Sequence, residues 1–196
     1  MILAPIGDFP EELLDHLSRR TGIPVGPSRV DPAIAWSPIR SQYDSTRLLA
    51  ALKALYDGEV IGAAACDLFI PVLTFVFGEA EMPGRAALFS IYRLREEFYG
   101  LPGNPELLEN RALRELRHEM GHLHGLPHCP DWSCVMSTSH SVERVDNKDE
   151  GYCASCSERL KLKRVPATEG LPRPSAVGTA QAVPDSQPRD CLGRPL

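Results

Sequence analysis

The sequence predicts an α+β fold in which helices pack on a twisted mixed sheet, and three observations support this prediction. Segments rich in Val, Ile, Phe and Ala alternate with leucine-spaced helical segments in residues 1–95. A long amphipathic pattern follows in residues 104–124 and carries two histidines and a glutamate. Two pairs of cysteines come next, within residues 129–156, and indicate a small C-terminal part stapled by metal.

The first third of the chain predicts a strand and two helices. Residues 1–6 are apolar and predict a short buried strand. Asp8 is expected to cap a helix that buries three leucines and ends at Gly22. Residues 23–40 contain four prolines, so we expect mostly a connection there, which can hold a short strand around Val25. Leucines on one helical stripe predict a second helix over residues 45–56.

The next section predicts strands. Residues 60–77 are dominated by β-forming and small side chains, and we expect two consecutive strands or one bent strand with the break at Pro71. Cys66 lies within this section and is interpreted as a small buried hydrophobe. Residues 78–84 contain two glycines and a proline and predict a turn. Residues 86–95 alternate between apolar and polar positions and predict a further strand.

A long helix is specified by its cap and its apolar stripe. Asn104 is a favoured capping residue, and Pro105 fits the first helical turn. The apolar stripe consists of Leu108, Ala112, Leu116, Met120 and Leu123. His118 and His122 are expected on the opposite face, so the helix should pack its apolar side on the sheet and turn both imidazoles toward a cleft.

The histidines have the spacing of a zinc site. His118 and His122 stand one helical turn apart, and Glu119 projects beside them. Gly125 can end the helix in a left-handed turn, which would bring His128 up as a third ligand. Three protein ligands leave one position for water, and a catalytic zinc lowers the pKa of that water to about 7. The pattern therefore predicts a hydrolytic zinc site. The alternative interpretation is that these histidines are ordinary solvated surface residues.

Four cysteines form a second pattern, which lies directly after His128. Cys129, Cys134, Cys153 and Cys156 have spacings similar to those of a closed four-thiolate structural zinc site. A disulfide pair is the competing interpretation. We see no secretory leader at the start of the chain, and this favours zinc because disulfides belong mainly to oxidising compartments.

Together the two patterns resemble the archaemetzincin family of metzincin-clan metallopeptidases, over residues 104–163. The resemblance implies a metzincin-like zincin fold, with Met136 in the turn beneath the catalytic zinc. Tyr152 stands where an aromatic such as Phe is expected, which is a mild departure. The site residues that the resemblance implies are His118, His122 and His128 on the catalytic zinc, Glu119 as general base, and Cys129, Cys134, Cys153 and Cys156 on a structural zinc.

Composition bounds the organisation of the chain. A hydrophobic content of 43% in 196 residues is enough for one buried core. We predict a single metallopeptidase domain over residues 1–164, with the sheet and helices in 1–125 and a zinc-bound C-terminal part in 126–164. Residues 165–196 hold six prolines and few large apolar groups, so we expect a disordered tail that includes Cys191.

The expected function is zinc-dependent hydrolysis of peptide bonds, with two zinc ions per chain. The expected partner is a peptide or protein substrate, aligned along an exposed strand edge. The net charge of −5, without a Lys/Arg-rich run, argues against a nucleic-acid or membrane partner. We expect a monomer in the cytoplasm. The alternatives are a zinc-stabilised peptide-binding protein with little turnover and a nucleic-acid-binding module built on the cysteines.

Overall fold

The structure is a computed structural model that describes residues 1–162. The strands are β1 (Ile2–Ile6), β2 (Trp36–Ser37), β3 (Gln42–Asp44), β4 (Val60–Ala64), β5 (Leu68–Phe69), β6 (Gly78–Ala80) and β7 (Ala86–Ser90). The helices are α1 (Glu11–Thr21), α2 (Ser45–Leu55), α3 (Pro105–Leu123), α4 (Val142–Asp146) and α5 (Ala154–Leu162). The predicted disordered tail, residues 165–196 with Cys191, lies outside the described residues. Within them, no helix is long and apolar enough to cross a membrane.

The main sheet has the order β1-β4-β7-β6 and is mixed, which confirms the predicted fold class. β1, β4 and β7 are parallel, whereas β6 runs antiparallel to β7 at the edge. Every residue of β4 and β7 is buried, as expected for parallel strands covered on both faces. Both α2 and α3 pack on β7 and β6, so the antiparallel edge strand lies beside the long helix.

The chain leaves the main sheet earlier than predicted. The break falls at residues 65–67, and β5 joins a separate small sheet of order β2-β3-β5. Asp67 fixes this departure because its carboxylate accepts hydrogen bonds from Arg93, at 2.6 and 2.8 Å, and from Gln42, at 3.0 Å. Pro71 follows β5 in a turn. Two consecutive strands are present, as one of the two alternatives predicted, but the break between them lies at residues 65–67 and not at Pro71.

Two boundaries around the edge strand also differ from the predictions. Residues 78–84 were expected to form a turn, but Gly78–Ala80 is β6, and its backbone pairing with β7 outweighs the weak strand propensity of Gly and Ala. The predicted strand over residues 86–95 stops at Ser90. The Ser90 hydroxyl donates to the Cys66 carbonyl at 2.6 Å and accepts from the Tyr92 amide at 3.0 Å, which turns the chain into a 3-10 helix.

The helix ends follow the sequence with one exception. Gly22 ends α1 with a φ of 71°, as predicted, but Asp8 is not the cap. Pro10 occupies that position and provides no side-chain hydrogen bond. At α3 the predicted cap is present, because the Asn104 side chain accepts a hydrogen bond from the Leu107 amide at 3.1 Å.

Helix α3 is buried on more than its apolar stripe. Arg111 is buried and donates to Asp146 of α4 at 2.7 Å, to Glu96 at 2.6 Å and to the Leu94 carbonyl at 2.8 Å. These charge-assisted hydrogen bonds attach the helix to the C-terminal part of the chain. Consequently the face that carries His118 and Glu119 is also buried, rather than open to solvent.

Candidate active site

The structure brings the three predicted histidines together at the C-terminal end of α3. One ring nitrogen from each lies within 4.8 Å of the other two, and the Nε2 atoms of His118 and His122 are 3.1 Å apart. After the helix, Gly125 adopts a φ of 79°. The amides of Gly125 and Leu126 then donate back to the carbonyls of His122 and Gly121, at 2.7 and 2.9 Å. This left-handed cap reverses the chain and delivers His128.

Hydrogen bonds on the far side of two rings orient their Nε2 atoms toward a common point. His118 Nδ1 lies 2.8 Å from the Val135 carbonyl, and His122 Nδ1 lies 2.8 Å from the Leu126 carbonyl. A carbonyl only accepts, so each Nδ1 carries the proton. Burial lowers the pKa of both histidines and favours the neutral ring. Each Nε2 therefore points a lone pair into the cluster, and a cation between the nitrogens would remove their mutual repulsion.

The spacing of these nitrogens fits zinc. Two nitrogens about 2.0–2.1 Å from one tetrahedral ion lie about 3.3 Å from each other, which is close to the 3.1 Å between the two Nε2 atoms. His128 is exposed, and the pKa of its ring is lowered by partial burial and by nearby Lys148 and His140. The donor set is thus three neutral imidazoles on one side of a cavity, with space for a further ligand.

Glu119 lies against the backbone of the edge strand. A methyl group built on Gly78 of β6 would overlap its Oε1 and would come within 2.6 Å of its Cδ and 2.7 Å of its Cγ. Burial raises the pKa of Glu119 well above its usual range, and the carboxylates of Glu115 and Glu79 raise it further. A divalent cation at the three nitrogens would oppose this shift by favouring the charged carboxylate.

Gly78 therefore provides a test of how tightly Glu119 is held. Gly78→Ala should force the carboxylate to move and lower peptide turnover by roughly tenfold, since small displacements of catalytic groups are costly. Zinc content should stay unchanged because no ligand is touched. The matched control is Gly58→Ala, because a methyl group there meets no neighbouring atom within 4 Å. Equal turnover in both variants, measured at equal zinc content, would show that the contact is unimportant.

The four cysteines form a second cluster beside the histidines. Their sulfur atoms all lie within 4.8 Å of one another, and those of Cys129 and Cys153 are 3.7 Å apart. Four thiolates about 2.3 Å from one zinc ion would be about 3.8 Å apart, whereas a disulfide needs about 2.05 Å. All four are free thiols in the structure. The Cys153 amide donates to the sulfur of Cys134 at 3.3 Å, an interaction that favours a thiolate.

The cysteine loop, residues 129–136, holds the histidine site in place. Val135, which follows Cys134 and is fully buried, supplies the carbonyl that orients His118. The next residue, Met136, accepts a hydrogen bond from the Cys129 amide at 2.9 Å. The Met136 side chain packs so closely on Gly121 of α3 that a methyl group at Gly121 would overlap its sulfur atom. The two clusters therefore share one short segment of backbone.

Tyr152 also contributes to this packing. Its hydroxyl donates to the Arg117 carbonyl of α3 at 2.7 Å, and its ring would meet a methyl group at Gly121 at 3.1 Å. Burial raises the pKa of Tyr152 far above its usual value. The residue is thus a packing element between α3 and the cysteine loop, because its polar end is used by the helix backbone.

A cavity of about 510 Å³ opens beside the histidines. Its wall includes the edge strand β6, the segment before it, the polar segment after Met136, and two buried charged residues besides Glu119. Sequence reasoning missed these two, Glu115 and Lys148. Their side chains are almost fully buried, and Lys148 Nζ lies 3.7 Å from Glu115 Oε1. Burial raises the pKa of Glu115 and lowers that of Lys148.

One of the two charged residues had a signal in the sequence. Glu115 stands one helical turn before Glu119, so the helical spacing that placed His118 and His122 on one face also places Glu115 there. Lys148 had none, because its position depends on how the chain after the cysteine pair Cys129 and Cys134 folds back on α3. Glu115 and Lys148 line the same cavity as the histidines.

Comparison with known proteins agrees with the resemblance. The model of peptidase family M54 matches residues 24–162. An archaemetzincin from Methanocaldococcus jannaschii is 43% identical over 164 residues, which cover 81% of this chain and 91% of that protein.

Solved structures give the same result. The crystal structure of archaemetzincin from Methanopyrus kandleri superposes with a TM-score of 0.71 at 38% identity and covers 83% of this chain and 94% of that one. The archaemetzincin from Archaeoglobus fulgidus complexed with malonate gives a TM-score of 0.70 at 29% identity, with 81% and 98% covered. The chain therefore belongs to the archaemetzincins of peptidase family M54, and it is a zinc metallopeptidase.

Proposed function

We propose that His118, His122 and His128 hold the catalytic zinc ion and that Glu119 is the general base in the hydrolysis of peptide bonds. The observation that carries this proposal is the pair of Nε2 atoms 3.1 Å apart, each with its Nδ1 committed to a backbone carbonyl. This arrangement is what a zinc site needs, since it fixes the tautomer and the direction of each ring. It stands next to a buried glutamate in one cavity.

The proposed chemistry divides between the metal and Glu119. Zinc, when bound, supplies a Lewis acid that polarises the scissile carbonyl and lowers the pKa of a water molecule. Glu119 accepts the proton of the attacking water and delivers it to the nitrogen of the leaving amine, which makes it base and then acid. The backbone of Gly78 restrains the carboxylate for this role. The Glu119 side chain is only 4% exposed, so bulk solvent has little access to its carboxylate.

The edge strand is the proposed guide for the substrate. In the part of the chain that the structure describes, β6 pairs with β7 alone, and all three of its residues line the cavity. An extended peptide can add to such an edge through backbone hydrogen bonds, without regard to its side chains. Because Gly78 of this strand contacts Glu119, a peptide on β6 would run past the base and the three histidines.

We propose a separate, structural zinc ion on Cys129, Cys134, Cys153 and Cys156. The short distances between the sulfur atoms and the hydrogen bond from the Cys153 amide to the Cys134 sulfur support this site. A site closed by four thiolates offers no position for water and serves the fold.

The metal content of the purified protein tests this division. We expect two zinc ions per folded chain in native mass spectrometry, of which a chelator removes one readily, because thiolate sites release zinc mainly on unfolding. One zinc ion per chain, with Cys153 and Cys156 in a disulfide, would contradict the proposal.

Cleavage of unbiased peptides tests the function itself. Zinc-loaded protein, incubated with a diverse peptide library, should generate new termini, and pretreatment with a chelator should abolish them. Identical product patterns with and without the chelator would rule out zinc-dependent hydrolysis. A library left intact at full zinc occupancy would favour a peptide-binding protein with little turnover.

A further inference from the structure

Three polar atoms in the cavity have no hydrogen-bond partner among the residues that the structure describes. They are Glu115 Oε1, Ser139 Oγ and Lys148 Nζ, and each atom is buried. All three residues line the cavity that contains the histidines. Most buried polar groups in proteins are hydrogen-bonded, so three exceptions among the residues that line one cavity indicate a site that binds a polar ligand.

The charged pair in this wall is arranged for a third group. Lys148 and Glu115 are both almost fully buried, yet their closest atoms are 3.7 Å apart, which is longer than a hydrogen bond. The ammonium group thus keeps donors free, and the carboxylate keeps an acceptor free. A buried ion pair is stable only when its remaining donors and acceptors are satisfied. A ligand that inserts between the two groups would satisfy both.

The position of these residues connects them with the substrate. Glu115 lies one turn before Glu119 on α3, and Ser139 belongs to the segment that follows Met136. The three residues therefore come from α3, from the segment after Met136 and from the chain after α4, and all three line the cavity that contains the base. When a peptide is bound along β6, a side chain next to its scissile bond could extend into the cavity and contact these three residues.

We propose that Glu115, Ser139 and Lys148 form a subsite for a carboxamide side chain, that of Gln or Asn, adjacent to the scissile bond. The proposal deepens the proposed function and rests on it. The amide oxygen accepts from Lys148 and from the Ser139 hydroxyl, and the amide NH₂ group donates to Glu115. Each of the three atoms then gains a partner.

The charges in the cavity favour an uncharged substrate side chain. Lys148 and Glu115 together carry no net charge, and a zinc ion on the three histidines would offset the charges of the other two carboxylates that line the cavity, Glu119 and Glu79. An acidic side chain would add a buried negative charge beside these carboxylates, and a basic one would add a positive charge next to Lys148. An aliphatic side chain would leave the three polar atoms unpaired, which is the larger penalty in a site made for hydrogen bonds.

The test uses the zinc-loaded protein and peptides that differ at one residue on either side of the scissile bond. The residue is Gln, Glu, Lys or Met, which are similar in length. We expect kcat/KM to be at least tenfold higher for Gln than for the other three. Equilibrium binding of the same peptides to the Glu119→Ala variant should show the same order. This second readout separates recognition from turnover.

Two variants assign the preference to the subsite. Glu115→Leu/Lys148→Met removes both charges together and keeps the volume, and it should favour Met over Gln. Ser139→Ala removes only the hydroxyl and should reduce the Gln preference about threefold; it also carries the test if the double variant does not fold. The control is Arg20→Met, which removes a cation paired with Glu150 at 2.6 Å on the surface. Its preference should match that of the unaltered protein.

The outcomes separate this proposal from the proposed function. Cleavage or binding without a preference for Gln would overturn the subsite and leave the peptidase intact, and the three atoms would then be satisfied by solvent. A Gln preference that persists in both subsite variants would also overturn it. Absence of turnover with every peptide would reject the proposed function. Even then, binding that favours Gln and loses this preference in the variants would support the subsite.

Discussion

Glu119→Ala is expected to lower peptide turnover by about two to four orders of magnitude, the usual share of general acid–base catalysis. The variant loses the group proposed to take and return the proton, but it keeps all three histidines, so both proposed zinc ions should remain. Stability should not fall much, because burial raises the pKa of Glu119 and so its charged form is costly in the folded state. Steady-state turnover, zinc content and Tm together measure these effects.

A control from the same helix makes this result specific. Glu106 is exposed in the first turn of α3, far along the helix from the histidines, and Glu106→Ala should leave turnover unchanged. Turnover in Glu119→Ala equal to that of Glu106→Ala would remove the case for Glu119 as the base. Loss of zinc from Glu119→Ala would instead show that the carboxylate acts through the metal site.

Cys134→Ser should damage both clusters, although Cys134 is proposed as a ligand of the structural zinc alone. The substitution opens the four-thiolate site and loosens the segment that follows it. Val135 would then hold the His118 ring less firmly, and Met136 would pack less tightly on Gly121. Loss of such a supporting contact typically lowers metal affinity by 10–100-fold. We expect this loss at the three-histidine site, together with a lower Tm.

Competition with a chelator measures the affinity, and a second cysteine supplies the control. Cys66 is fully buried outside the cluster, so Cys66→Ser should lower stability through a buried hydroxyl without reaching either zinc site. Catalytic-site affinity that falls in Cys134→Ser but not in Cys66→Ser would support the coupling. A similar fall in both variants would show that the loss of zinc affinity merely follows the loss of stability. An unchanged affinity in Cys134→Ser would rule out the coupling between the two clusters.

Local signals in the sequence were enough for the helix that carries the site. The Asn104 cap, the leucine period and the spacing of His118 and His122 all act within a few residues, so they survive without knowledge of the fold. The reversal at Gly125 is equally local, because a left-handed residue after a helix has a strong glycine preference. These features made the gathering of the three histidines predictable.

Features that depend on tertiary contacts were missed. The sequence of the edge strand β6 predicts a turn because Gly78 and Ala80 have little strand propensity. Only its pairing with β7 and the close approach of Glu119 explain why this segment is a strand. The departure of the chain at residues 65–67 depends on Arg93, which is distant in sequence. Lys148 reaches Glu115 in the same way, across the fold, so no pattern in its own neighbourhood indicated a cavity residue.

The most direct measurement for the account as a whole is a zinc titration of protein depleted at the histidine site. A chelator removes the accessible ion, the thiolate site retains its own, and zinc is then returned in steps while peptide cleavage is followed. We expect no cleavage at the start and a linear rise that ends at one equivalent of added zinc per chain. Cleavage before any zinc is returned, or none after the site is filled, would contradict hydrolysis at the three histidines.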